Sequence, residues 1–183
     1  MFIDVALPKG DEKEFVKQAK KLGTEGLIFL YEKLDKGVLD EVKSLETSKF
    51  KIYTALMSGS NPEKKKADYL FSTGARNHFE SKRVDCIYEV EKGTKKDSYH
   101  YRHSGLNQVL AKLLFEKKIN LCFSFNLVLT ARNKPSVMGK MMQNAVLCNK
   151  YKCKSQAYSF ARKPSQLRGR YDLESFGRVL GLK

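Results

Sequence analysis

Short runs of Val, Ile, Leu, Phe and Tyr alternate along this chain with windows whose apolar residues recur every three or four positions. The runs predict strands near Phe2–Leu7, Gly26–Leu30, Lys51–Met57, Tyr69–Ser72, Cys86–Val90, Asn120–Ser124 and Ser155–Phe160. The periodic windows predict helices near Asp11–Leu22, Val38–Leu45, Ser104–Lys117, Ser136–Lys150 and Asp172–Leu180. Shorter helical turns are expected at Pro62–Lys66, Ala75–Lys82 and Pro164–Arg168. Strand–helix alternation predicts a parallel sheet, because parallel neighbours need a helix-length crossover.

Three helices carry the clearest faces. One begins at Ser104 as N-cap and aligns Leu106, Val109, Leu110, Leu113 and Leu114. A second aligns Met138, Met141, Met142 and Ala145, a spacing that predicts core filling rather than a binding groove. The last starts at Asp172, aligns Leu173, Phe176, Val179 and Leu180, and stops at Gly181. Seven such units suit either a closed barrel or an open doubly wound sheet. The open sheet announces itself with a Gly-rich first loop, which Leu7-Pro8-Lys9-Gly10 is not. A TIM-like β/α barrel of about seven parallel strands is the expected fold, trimmed because eight-unit barrels take roughly 250 residues. No repeat or linker divides the chain, so one domain over residues 1–183 is expected.

Composition changes this picture little: 42% hydrophobic and 11% aromatic residues argue against disorder. No apolar run approaches the roughly 20 residues that span a bilayer, and Met1-Phe2-Ile3-Asp4-Val5 does not resemble a signal peptide. A soluble cytoplasmic protein without membrane association is expected. Cys86, Cys122, Cys148 and Cys153 read as free thiols of a reducing compartment, with no second close pair to complete a zinc site.

Charge changes the picture greatly. The formal net charge is +15, and it is carried almost wholly by the second half. No acid occurs between Glu116 and Asp172, an interval holding Lys117, Lys118, Arg132, Lys134, Lys140, Lys150, Lys152, Lys154, Arg162, Lys163, Arg168 and Arg170. Such self-repulsion is relieved by a polyanion, and nucleic acid is the usual one. The expectation is one contiguous basic face along the flank built by the last units.

Function in β/α folds sits after the strands. After the fourth, Ser72-Thr73-Gly74-Ala75-Arg76-Asn77-His78-Phe79-Glu80-Ser81 offers a tight turn and a phosphate clamp at Arg76; a plain Arg76–Glu80 helix pair is the equal alternative. After the fifth, the segment from Lys92 to His103 interleaves cations with Tyr99, His100, Tyr101, Arg102 and His103, suiting phosphates and unstacked bases. After the last, Arg162, Lys163, Arg168 and Arg170 gather around Pro164. The basic reading also includes Lys82, Arg132 and Lys140. Catalytic chemistry finds little: His78, His100 and His103 are the only histidines, Glu89 and Glu91 flank one strand end, and Asp4 reads as a hydrogen-bonded structural carboxylate.

The stretches Ala75-Arg76-Asn77-His78-Phe79-Glu80-Ser81 with Val84-Asp85, His100-Tyr101-Arg102-His103-Ser104-Gly105-Leu106-Asn107-Gln108, Gly139-Lys140-Met141-Met142-Gln143-Asn144 and Ser159-Phe160-Ala161-Arg162 together resemble the ribonuclease P protein component 3 family. That family is the archaeal counterpart of a eukaryotic ribonuclease P and MRP subunit, and the resemblance runs nearly end to end. It implies a barrel related to the polymerase-and-histidinol-phosphatase type without its metal cluster. It further implies a non-catalytic subunit that binds ribonuclease P RNA, pairs with protein component 2 and works beside other protein subunits. The RNA, with Mg2+, removes the 5′ leader of precursor tRNA, and no cofactor is expected on the protein. Arg76, Arg102, His103 and Arg162 are carried over as RNA contacts, and Asn77, Lys82, Arg132, Lys140, Arg168 and Arg170 complete the expected set. The alternatives are a stand-alone metal-dependent phosphoesterase or nuclease barrel, and a structural adaptor covered largely by component 2.

Overall fold

A computed structural model describes residues 1–34, 36–59, 67–92, 97, 99, 100 and 102–183. In chain order the elements are β1 (Ile3–Ala6), α1 (Glu12–Lys21), β2 (Gly26–Tyr31), α2 (Lys36–Ser44), β3 (Lys51–Met57), β4 (Tyr69–Ser72), α3 (Arg76–Glu80), β5 (Cys86–Tyr88), α4 (Gln108–Lys117), β6 (Asn120–Ser124), α5 (Phe125–Thr130), α6 (Lys134–Tyr151), β7 (Ser155–Tyr158) and α7 (Arg170–Leu180), with a 3-10 turn at Pro164–Gln166 before α7. The strands form one sheet in sequence order, every neighbouring pair parallel. A parallel bridge between Ala6 and Ala161 closes the ring. Across it the Leu7 N–H donates to the Ala161 carbonyl at 2.8 Å, and the Ala161 N–H to that of Val5 at 3.2 Å. The expected seven-stranded parallel β/α barrel is the observed fold. No helix among the described residues is long and apolar enough to cross a membrane.

Every expected strand is present, and the differences lie at ends. β5 stops at Tyr88 and β7 at Tyr158, because Glu89 (φ 52°) and Phe160 (φ 48°) turn left-handed just beyond them. The cap of α4 lies three residues beyond the expected one: Asn107, not Ser104, receives the Leu110 N–H at 2.9 Å. α6 begins before Ser136, capped by Asn133, and α7 begins at Arg170, with Asp172 accepting the Gly169 N–H at 3.3 Å. α5 was not expected; Ser124 starts it by accepting the Leu127 N–H at 3.1 Å. Val109, Met142 and Val179, assigned above to buried faces, are exposed, because each lies at the edge of its apolar stripe. The expected turn at Pro62–Lys66 lies outside the described residues.

Strand alternation divides the apolar residues between two surfaces. Outward residues such as Leu27, Phe29, Leu70, Ile87, Leu121 and Phe123 pack under the helices. Inward residues fill the bore: Val5, Ile28, Leu30, Ala55, Phe71, Tyr88, Cys122 and Phe160. Tyr88 and Phe160 stack at 4.9 Å and 8°, and Phe71 meets both edge-on at 6.1 and 6.2 Å. The left-handed turn at Phe160 is what swings its ring inward over the plug.

Asp4 fastens the seam. Its Oδ1 accepts the N–H of Val5 at 2.8 Å and of Ser159 at 2.7 Å, joining β1 to the end of β7. Complete burial outweighs these bonds and pushes the carboxyl up from 3.8 to about 6. The folded chain therefore holds this proton after the unfolded chain has lost it. The stability contribution is full below the unfolded value and is lost as pH rises through the folded one. A shift of this size is worth about 3 kcal/mol. Urea denaturation of the parent and of Asp4→Asn is expected to show the parent losing that much relative to the variant between about pH 4 and 7. Parallel curves would refute the shift.

Candidate nucleic-acid interface

The carboxyl ends of the strands form an open cleft of about 540 Å³, lined by Leu7–Lys9, Leu30–Lys33, Met57, Thr73, Tyr88, Glu89, Lys92 and Arg162. Tyr88 is part of its floor, backed by the stacked Phe160 ring. Glu89, buried, accepts Lys92 Nζ at 3.2 Å and Ser124 Oγ at 3.4 Å, so Lys92 is neutralised locally. Lys9, Lys33 and Arg162 are exposed and make no ion pair among the described residues. Gln166 holds the Arg162 backbone: its Oε1 accepts the N–H of Arg162 at 2.9 Å and of Lys163 at 3.1 Å. Burial and the Glu89 charge push the Tyr88 phenol up, opposed by the charge of Arg162.

The other two arginines of the last loop do not join this cleft. Arg168 donates from Nη1 to the carbonyls of Ser165 (3.1 Å) and Leu167 (2.8 Å), and its guanidinium lies 5.5 Å from the Phe125 ring. Arg170 pairs with Glu174 at 2.6 Å and sits beside Phe2, Leu22 and Glu25, near the amino ends of β1 and β2.

On α3, Arg76 takes the plain alternative, facing Glu80 at 3.4 Å with both side chains largely exposed. Such a pair is worth about 0–1 kcal/mol and leaves Arg76 easily recruited. Asn77 and Lys82 are exposed. His78 is buried, its Nδ1 bonded to Ser72 Oγ and its Nε2 3.5 Å from Ser58 Oγ, so it ties α3 to the ends of β3 and β4.

The segment after β5 meets α6. Arg102 faces Asp97 at 3.4 Å, and Asp97 accepts the His103 N–H at 3.0 Å. The Arg102 guanidinium lies on Gly139, where a Cβ would stand 2.4 Å from Nη1. Asn144 donates to Glu91 Oε1 at 2.7 Å and to the Ser104 carbonyl at 2.9 Å. Lys140 is buried, and its charge acts on Glu91, whose carboxyl is nonetheless pushed up to about 7 by burial. Lys140 is thus placed inside the buttress that holds this segment, away from the surface. Tyr99 is 97% exposed, edge-on to His100 at 4.7 Å. Residues 93–96, 98 and 101, Tyr101 among them, lie outside the described residues.

The single contiguous basic face is corrected. Each unit runs up a strand and back down a helix, so the acid-free interval visits both ends of the barrel. Arg132, Lys134, Arg162 and Lys163 follow β6 and β7, whereas Lys117, Lys118, Lys150, Lys152 and Lys154 precede them. Between these rims the outer face of α6 presents Met142 and Val146. Lys9 and Lys33 are the cleft residues that the sequence reading missed. Their position immediately after β1 and β2 was the available signal.

No protein-family model and no curated protein matches the chain. Several solved structures are similar to it, three of which follow. A chain in a cryo-EM structure of archaeal ribonuclease P with mature tRNA superposes with a TM-score of 0.81 at 22% identity, over 98% of this chain and 83% of that one. Histidinol phosphate phosphatase from Lactococcus lactis subsp. lactis, complexed with zinc, L-histidinol and phosphate, gives 0.69 at 9% identity over 100% and 94%. An uncharacterized protein gives 0.55 at 10% identity over 98% and 70%. Among the described residues no group of three or more His, Cys, Asp or Glu is placed to hold an ion, so these residues do not fit a metal cluster. The cleft lining contributes the carboxylates Glu32 and Glu89, the latter engaged by Lys92 and Ser124. At these identities the likeness is one of architecture: a seven-stranded parallel β/α barrel, similar to that of the histidinol phosphate phosphatase.

Proposed function

We propose that this chain is a protein subunit of ribonuclease P, of the component 3 kind, that binds and stiffens the catalytic RNA. The observation that carries the reading is the set of exposed cations at the barrel mouth. Lys9, Lys33 and Arg162 line it beside Tyr88, and among the described residues no cluster of His, Cys, Asp or Glu stands ready to hold an ion for hydrolysis. The likeness to a chain of archaeal ribonuclease P over 98% of this sequence, and the charge of +15, support it. In this reading the protein is a single RNA-binding domain in the cytoplasm, pairs with component 2 and accompanies other protein subunits. The RNA and Mg2+ cleave precursor tRNA; the polypeptide neutralises phosphates from Arg76, Arg102, Arg132 and Arg162, with Asn77, Lys82 and His103 beside them.

The test is reconstitution. Omitting this chain from the RNA and remaining proteins should lower precursor-tRNA cleavage, and adding it back should restore it. Arg162→Ala should weaken RNA binding about tenfold or more, the worth of one charge-assisted bond, without changing the thermal midpoint. Unchanged cleavage on omission would overturn the reading. Metal-dependent turnover by the protein alone would replace it with the phosphoesterase alternative.

A further inference from the structure

At the amino ends of the strands, opposite the cleft, lies a second depression of about 510 Å³ lined by Asn120, Asn149, Lys152, Lys154, Tyr158 and Lys183 together with two thiols, Cys148 and Cys153. No Asp or Glu side chain lines it. The way α6 ends explains why the thiols meet. Lys152 adopts the left-handed conformation (φ 57°), its N–H bonds to the Asn149 carbonyl at 3.4 Å, and the Cys153 N–H bonds to the Cys148 carbonyl at 2.9 Å. This double bond pattern is a Schellman motif, which presses the side chain just past the helix against the one a turn earlier. That contact is ordinarily apolar. Here both positions are cysteines, and both side chains line the same depression.

We propose that Cys148 and Cys153 form a peroxide-responsive dithiol, with Cys153 the thiol that reacts and Cys148 the one that resolves it. Cys153 is partly exposed at the wall of the basic depression, whereas Cys86, Cys122 and Cys148 are buried. As a thiol Cys153 donates to the Ala111 carbonyl at 3.0 Å. As a thiolate it accepts from Cys148, and this holds it below the ordinary thiol value while Cys148 is pushed up. Cys86 and Cys122 also touch, but inside the barrel, where their mutual bond and burial push Cys122 well up. They are the inert comparison.

The chemistry closes without a further reagent. The Cys153 thiolate attacks one oxygen of hydrogen peroxide and the O–O bond breaks. The departing hydroxide takes a proton to become water, leaving a sulfenic acid on sulfur oxidised by two electrons. Cys148 then gives up its proton and attacks that sulfur; the S–S bond forms, the S–OH bond breaks and a second water leaves.

The test uses the full chain with stoichiometric hydrogen peroxide, read by peptide mass spectrometry without reduction. The expected product is a Cys148–Cys153 cross-link reversed by dithiothreitol, with Cys86 and Cys122 still reduced. Cys148→Ser should stop at a Cys153 sulfenic acid trapped by dimedone. In the unsubstituted protein iodoacetamide should alkylate Cys153 roughly tenfold faster than any other cysteine. Prior oxidation of Cys86 or Cys122, or alkylation of all four at one rate, would overturn the proposal.

Discussion

Raising the salt from about 50 to about 200 mM is expected to weaken RNA binding by this chain 10³–10⁵-fold, if roughly six to ten backbone phosphates are neutralised. The supply of charge is ample: twelve cations lie between Glu116 and Asp172 with no acid among them. Their arrangement adds a sharper expectation. The cations lie on two rims separated by the height of the barrel, so an RNA seated on the mouth alone leaves Lys152 and Lys154 out of the slope. Plotting log affinity against log salt should give a slope near −0.7 to −0.9 for each phosphate contacted. Arg162→Ala should flatten the line by about one such unit, whereas Lys154→Ala should not move it. A line nearly level in salt would remove the electrostatic mechanism altogether.

Gly105→Ala should cost more than about 3 kcal/mol and leave little folded protein. Gly105 holds φ +87°, and a Cβ there would stand 2.1 Å from the Val90 carbonyl oxygen. Both partners are backbone, so nothing nearby can swing aside. The loss spreads because Asn144 links the adjoining Ser104 carbonyl to Glu91. Gly139→Ala is the informative contrast. Its added carbon meets the tip of the Arg102 side chain, which can move. That variant should therefore stay folded while Arg102 is displaced. Urea midpoints for both variants decide it, and equal midpoints would mean that the segment after β5 is not braced as described.

The barrel was legible because a parallel strand buried on both faces must be apolar along its length. Runs such as Gly26–Tyr31 and Leu121-Cys122-Phe123 carried that mark. α5 was hidden for the same reason: Phe125 to Leu129 prolongs the apolar run of β6, and the cap at Ser124 cannot be told in sequence from a strand residue. Ser104 and Asn107 are both cap formers, and only the backbone turn at Gly105 decides between them. Charge was legible as a sum but not as a direction. Lys140 looks like its neighbours in sequence, yet it is buried against Glu91, far away along the chain. Lys9 and Lys33 each stand beside acids, so neither drew notice until the ring brought them to Arg162.

The stacked rings of Tyr88 and Phe160, wedged by Phe71, leave the cylinder without a bore. Close-packed interiors have low compressibility and pass strain along rather than absorbing it. What was shaped like a vessel thus behaves as a solid peg, whose rim arginine keeps its bearing when pulled from outside. In the proposed role, holding a large RNA in one posture, such stiffness would serve better than an empty chamber.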